Sequence, residues 1–450
     1  MARRAGLLLV LAFLGGGATA GEGLEHRVWL LAGVPSSGEL TSLRSVGVDA
    51  LVVPVGTVRV QQRSSQFTVT PLPEVAPLSG WTVSALVWAE GSGRDDGGAD
   101  SFAGQLAPVE RLLTGSGTIV LAARRFWDGL PHFASSVARY TGKRVEIAVP
   151  VGALPGKVPE GGWPGVIVTA VAFGLPTVLG FPPSTFFDDE GALDQLDRSR
   201  TRFRVAVVTG YHVDPPPPPG SDLSLEPLAR SNVASFRAGA RGDAFVLQRP
   251  VVWGGLSLAA GQTVEVQALD APQYHRSLGL ILRTARAGLV GWDSAGLPAP
   301  YPTIGMSREG FLAYLEGATP RASPEVVLES TSTGVRVSVR NPTPFGSAVA
   351  TTGNFVELRL AGGEIRDVQT GEFAGVEYGR YESGRWRATV AREATSVRFF
   401  MTMLAPGAQI SGGTVQFFAR PRDVEVRWGL RDPDGGSRTG RVPAVPVRPS

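Results

Sequence analysis

Four carboxylates in this 450-residue chain come directly after short apolar runs: Glu90 behind Trp88, Asp214 behind Tyr211, Asp270 behind the run ending at Leu269, and Asp293 behind Trp292. Two carboxyl groups on either side of a sugar ring, one giving a proton and the other acting as base or nucleophile, can cleave a glycosidic bond. Aromatic rings serve such a site as platforms. On that chemistry Glu90, Asp214 and Asp293 are the catalytic candidates. Trp88, Trp127, Tyr211 and Trp292 are the platforms, and Asp270 is a further substrate contact. The acid needs a less polar setting than its partner, and the sequence does not say which residue has it. A plainer reading stands beside this one: Asp214 and Asp293 cap turns, Glu90 pairs with an arginine, and the tryptophans pack between strands and loops.

Other chemistries find less support. With no cysteine, the chain has no disulfide, thiolate metal site or cysteine nucleophile. Its histidines, at 26, 132, 212 and 275, never recur at i, i+4, and Asp188-Asp189-Glu190 lacks the alternating ligands of a calcium loop. No metal and no cofactor are expected. No G-x-S-x-G turn is present for a serine esterase or peptidase.

The apparent basicity, pI about 9.4, carries little information. Residues 1–20 read as a secretory signal peptide, with Arg3 and Arg4, an apolar run from Leu7 to Leu14, and Ala18-Thr19-Ala20 as a cleavage site. Its removal takes two of 43 basic groups and none of the 40 acidic ones. Only Lys143 and Lys157 are lysines, and the arginines are scattered rather than striped, so nucleic acid is not an expected partner. No second stretch approaches 18 apolar residues. The expected protein is therefore exported, periplasmic or extracellular, without an integral membrane segment after cleavage.

The elements that must position these residues alternate between strand and helix. Apolar runs at 28–32, 49–55, 82–89, 118–122, 145–151, 165–172, 203–208 and 288–292 read as strands buried on both faces. Helical patterns lie between several of them, at 39–46, 102–113, 130–140 and 193–200, and further helices are expected at 274–286 and 307–316. No glycine-rich phosphate loop opens any helix, so a (β/α)8 barrel of the TIM type over residues 21–320 is expected rather than an open sheet. A β-hairpin insertion is expected near 248–267, and Pro215 to Pro219 is a stiff spacer. From 323 to 430 the alternation of apolar and polar residues predicts an all-β sandwich, followed by a loose Gly/Pro/Arg-rich tail at 431–450.

The stretches TIVLAARRFWDGLPHFASSVARYTGKRVEIAVPVGALPG and GLVGWDSAGLP resemble a group of uncharacterised bacterial secreted proteins with a glycosidase-like barrel and a C-terminal β-sandwich. That resemblance implies binding or hydrolysis of extracytoplasmic polysaccharide. Such barrels often carry Asp-x-Asp at the end of a middle strand, where this chain has Ala122-Ala123-Arg124. No catalytic residue is carried over, and a catalytically degenerate, carbohydrate-binding barrel is implied. The alternative is a non-catalytic envelope scaffold or assembly factor that binds a protein partner. In that case the strand-end acids would be paired with arginines.

Overall fold

The computed structural model of the chain describes residues 24–31, 34–62, 64–70, 78–91, 98–172, 190–209, 211–215, 225–229, 233–239, 242–268, 274, 278, 286–298, 306–319, 321–350, 352–432 and 436–446. The chain forms two compact units. The first comprises Met1–His212, Tyr274–Ala299 and Phe311–Ala318; the second comprises Val213–Gln273, Pro300–Gly310 and Thr319–Ser450.

The first unit is a closed barrel of eight parallel strands: β1 (Glu25–Trp29), β2 (Ala50–Val60), β3 (Thr82–Gly91), β4 (Ile119–Ala122), β5 (Val145–Pro150), β6 (Val166–Ala172), β7 (Phe203–Val208) and β8 (Leu289–Ala295). They pair in chain order, and β8 closes on β1. All eight correspond to the apolar runs of the sequence. An antiparallel strand, Ser65–Val69, folds back on the far end of β2. β2 and β3 stay paired as far as Val60 and Gly91.

Side chains alternate between two environments. Outward residues of β3 to β6, such as Ala85, Val87, Leu121, Ile147 and Val149, share a core with Phe102, Leu106, Leu130, Phe133 and Val137 from the surrounding helices. Fully burying one such large apolar side chain contributes roughly 1.5–3 kcal/mol. Helix Leu130–Thr141 illustrates the local cause: Leu130, Phe133, Ala134 and Val137 recur at helical spacing, Pro131 suits the first turn, and Gly142 ends the helix at φ +66°. The shorter helix Ser37–Ser45 opens with a reciprocal cap between Ser36 and Glu39. Inward residues form a second cluster, in which Trp29, Val52, Leu86, Val120, Ala148, Val171 and Ala206 fill the barrel centre.

A small antiparallel sheet is built from Tyr211–Asp214, Ala234–Gly239, Gly242–Leu247 and Thr263–Ala268, all of it in the second unit but for Tyr211 and His212. A separate hairpin joins Val251–Trp253 to Leu256–Leu258. The larger part of the second unit is a pair of antiparallel sheets of four and six strands between Glu325 and Pro446. Val337, Val356, Leu358, Val397, Phe399, Val415 and Val426 fill the core of this part. One element departs from expectation. Residues 437–446, expected to be loose, form an edge strand on Asp423–Arg431. The edge position tolerates Pro443 and Pro446, which cannot donate to a ladder, and Gly440 leaves room for the Trp428 ring.

On the six-stranded sheet Glu357 is buried. It accepts hydrogen bonds from Arg359 Nε (2.6 Å), Arg398 Nε (2.9 Å) and Tyr381 OH (2.9 Å). Arg398 stacks against Trp386 and Phe355, and Arg359 lies over Tyr381. Among the described residues no helix is long and apolar enough to cross a membrane.

Candidate functional site

The barrel interior is layered. Near its base, β1, β5 and β7 turn charged residues inward: Arg27 and the half-buried Glu25 from β1, and Glu146 and Arg204 from the otherwise apolar β5 and β7. Arg27 donates Nη1 and Nη2 to the two oxygens of Glu146 (2.8 and 2.7 Å). It also donates Nε and Nη2 to those of Asp293 (2.9 and 2.7 Å). Asp293 further accepts from Arg204 Nε (2.9 Å) and from the Trp29 indole (2.9 Å). Thr118 and Thr169 hydroxyls complete the shell of Glu146, and Arg204 reaches the half-buried Glu25 at 2.7 Å. Burial alone would raise both carboxyl pKa values. For Asp293 the charges of Arg204 and Arg27 outweigh it, and for Glu146 that of Arg27 does, so both acids are held below the ordinary range.

This placement corrects one expectation. Asp293 does not follow a strand that ends at Trp292: β8 runs on to Ala295, and Asp293 is inside it with no solvent exposure. The strand continues through a charge because four donors satisfy that charge within the barrel. The first strand likewise starts earlier than expected, at Glu25, since Arg27 is an interior residue and not part of a polar approach.

Trp292, expected as a platform, faces outward and is buried. It stacks on His26 with ring centroids 3.5 Å apart. His26 Nε2 is 2.9 Å from Ser294 Oγ, which is 2.6 Å from Tyr274 OH. Burial, only partly opposed by Asp293, lowers the His26 pKa to about 3, so the ring is neutral.

At the C-terminal end of the strands, where barrels carry their sites, the described interior is apolar. Half-buried Trp88 and Leu31 pack on the central cluster that includes Ala122, Val208 and Ala295. One step beyond Trp88 on the same face of β3 is Glu90, exposed and 3.4 Å from Arg59, its register partner on β2. The backbone amide of Ala123 still bonds to Ala148 (2.8 Å), and exposed Arg124 and Arg125 follow. Trp127 packs against Gly91 and Val60, with its indole N–H unpartnered.

Of the remaining candidates, Asp214 is exposed at the end of the strand Tyr211–Asp214, and Val213 onward belongs to the second unit. The side chain of Tyr211 and the whole of Asp270 lie outside the described residues. The two barrel candidates, Glu90 and Asp293, are not a pair: Glu90 lies beside Arg59 at the rim, and Asp293 is bonded to Arg27 and Arg204 in the buried layer. Among the described residues no group of three or more His, Asp or Glu could hold a metal ion. The sequence reading missed Arg27, Glu146 and Arg204, although Glu146 and Arg204 each stand as the one charge of an apolar strand.

In fold the chain is similar to the spore cortex-lytic enzyme SleL of Bacillus megaterium QM B1551, at 13% identity, with 61% of this chain and 70% of that one covered and a TM-score of 0.37. It is also similar to a GH30 endoxylanase from Clostridium papyrosolvens C71, at 10% identity, with 87% and 96% covered and a TM-score of 0.25. Likeness at this level says nothing about the chemistry of a site. No protein-family model matches the chain, and no curated protein matches it.

Proposed function

We propose that the chain is an exported, glycosidase-like barrel protein that binds extracytoplasmic polysaccharide at the C-terminal mouth of the barrel without hydrolysing it. One observation carries the reading. The barrel's two candidate acids are separately paired with arginines, while Trp88 stands half-buried above an apolar layer at the end where barrel ligands bind. A glycosidase needs two carboxyl groups facing one bond, roughly 5–5.5 Å or 6.5–9.5 Å apart. A binding site needs only an aromatic surface and a polar rim. Here Trp88 supplies the surface, and Glu90 with Arg59 belongs to the rim.

The test is a panel of polysaccharides in pull-down and titration, run beside an assay for released reducing ends. The expected result is binding without release, weakened at least tenfold by Trp88→Ala. Sugar release that is lost in Glu90→Gln would refute the non-hydrolytic reading, and failure of the wild type to bind any polymer would refute the function itself. Export is checked by fractionation and by the N-terminal residue of the mature chain, expected to be Gly21.

A further inference from the structure

Resting on that reading, the geometry points to an acidic polysaccharide, one with carboxylates along its repeat, as the ligand class of the mouth. The register places the relevant residues side by side. Arg59 is opposite Glu90, and Trp88 is opposite Ala122. The ladder to β5 holds through Ala123, so Arg124 and Arg125 emerge from β4 next to the end of β3. Among the described residues two acids lie in this quarter of the rim. Glu90 is held by Arg59, and Asp128 is itself engaged. Arg124 and Arg125 are exposed and, among the described residues, make no hydrogen bond or ion pair. On the other side of β4, the end of β5 and the turn after it, Pro150, Val151, Gly152 and Ala153, carry no charge.

Among the described residues the local balance is therefore two unengaged guanidiniums beside a half-buried indole. Such groups attract anions over about a Debye length, ~8–10 Å at physiological salt. Guanidinium is also more weakly hydrated than ammonium and matches a carboxylate with two parallel N–H donors. A neutral glycan would gain nothing from these two residues, whereas a polyuronate presents a carboxylate on every ring.

The probes are polygalacturonate, alginate and hyaluronate, with fully methyl-esterified polygalacturonate as a neutral control of the same backbone. Affinities are measured at 20 and 300 mM salt for the wild type, Arg124→Ser/Arg125→Ser and Trp88→Ala. At low salt the wild type is expected to bind at least one acidic polymer ten or more times tighter than the ester. The double arginine variant should lose about tenfold on that polymer, show a shallower salt dependence and leave binding to the ester unchanged. Equal affinity for acid and ester, or an unchanged double variant, overturns the inference. If Trp88→Ala alone then abolishes binding, the polysaccharide reading survives without it. If the wild type binds no polymer, both fall.

Discussion

Replacing Asp293 by Asn tests the buried charge layer directly. In the wild type the layer balances Arg27 and Arg204 against Glu146 and Asp293, all at most 3% exposed in their side chains. Asn keeps the shape but removes the charge and turns an NH2 group toward one of four donors: Arg27 Nε, Arg27 Nη2, Arg204 Nε and the Trp29 indole. Breaking a buried ion pair from one side costs about 3–5 kcal/mol, because the partner charge stays buried and unmatched. With a urea dependence on the order of 3 kcal/mol per M for a domain of this size, the barrel's unfolding midpoint should fall by about 1–1.7 M. Far-UV circular dichroism gives the transition, and hydrogen exchange of β1 and β8 amides assigns it to the barrel. Adding Arg204→Met to Asp293→Asn restores balance between Arg27 and Glu146, so the double variant should recover part of the loss, by a coupling of about 1 kcal/mol or more. A midpoint shift below 0.3 M, or a double variant less stable than the sum of the singles, would show that the layer is not a coupled unit.

Two further perturbations concern the rest of the barrel. His26 has a folded pKa of about 3 against 6.5 in the open chain. Between those values the unfolded state binds a proton that the folded state does not, so stability is complete above pH 6.5 and falls as the pH drops toward 3, by up to about 1.4 kcal/mol per unit. His26→Phe, which keeps a ring on Trp292, should flatten the stability profile between pH 6 and 4.5 by that amount; parallel profiles would mean that His26 is charged in the fold. At the start of β4, a Cβ on Gly117 would run into the backbone oxygen of Val83, whereas one on Gly156 meets nothing within 4 Å. Gly117→Ala is therefore expected to cost about 1–3 kcal/mol and Gly156→Ala almost nothing, as read by thermal unfolding.

The barrel was legible because parallel strands covered on both faces are continuous apolar runs. Runs such as the Leu51–Val53 and Val205–Val208 segments can be little else at their length. The strand ends were harder. Charged residues mark boundaries in most sequences, so Glu25 to Arg27 and Asp293 read as flanks, and only the pairing of Arg27 with Asp293 across 266 residues makes both of them interior. The antiparallel strand Ser65–Val69 and the edge strand at 437–446 were obscured by polar and proline-rich composition. Their pairing depends on neighbours distant in the chain. For the site, the pairing of Glu90 with an arginine matched the plainer of the two readings. The identity of that partner, Arg59, follows from the register of β2 on β3, which spacing alone does not give.

The charge layer also sets an order of assembly. Arg27 and Glu146 are made early and can meet within the first half of the chain, and Arg204 follows with the half-buried Glu25 as partner, but the fully buried carboxylate it shares with Arg27 arrives only with β8. A nascent chain that stops before Leu289 would lack the Asp293 carboxylate shared by Arg27 and Arg204, with an open edge where β1 and β7 should each find a neighbour. Closure therefore waits for the long segment between Val208 and Leu289 to be synthesised.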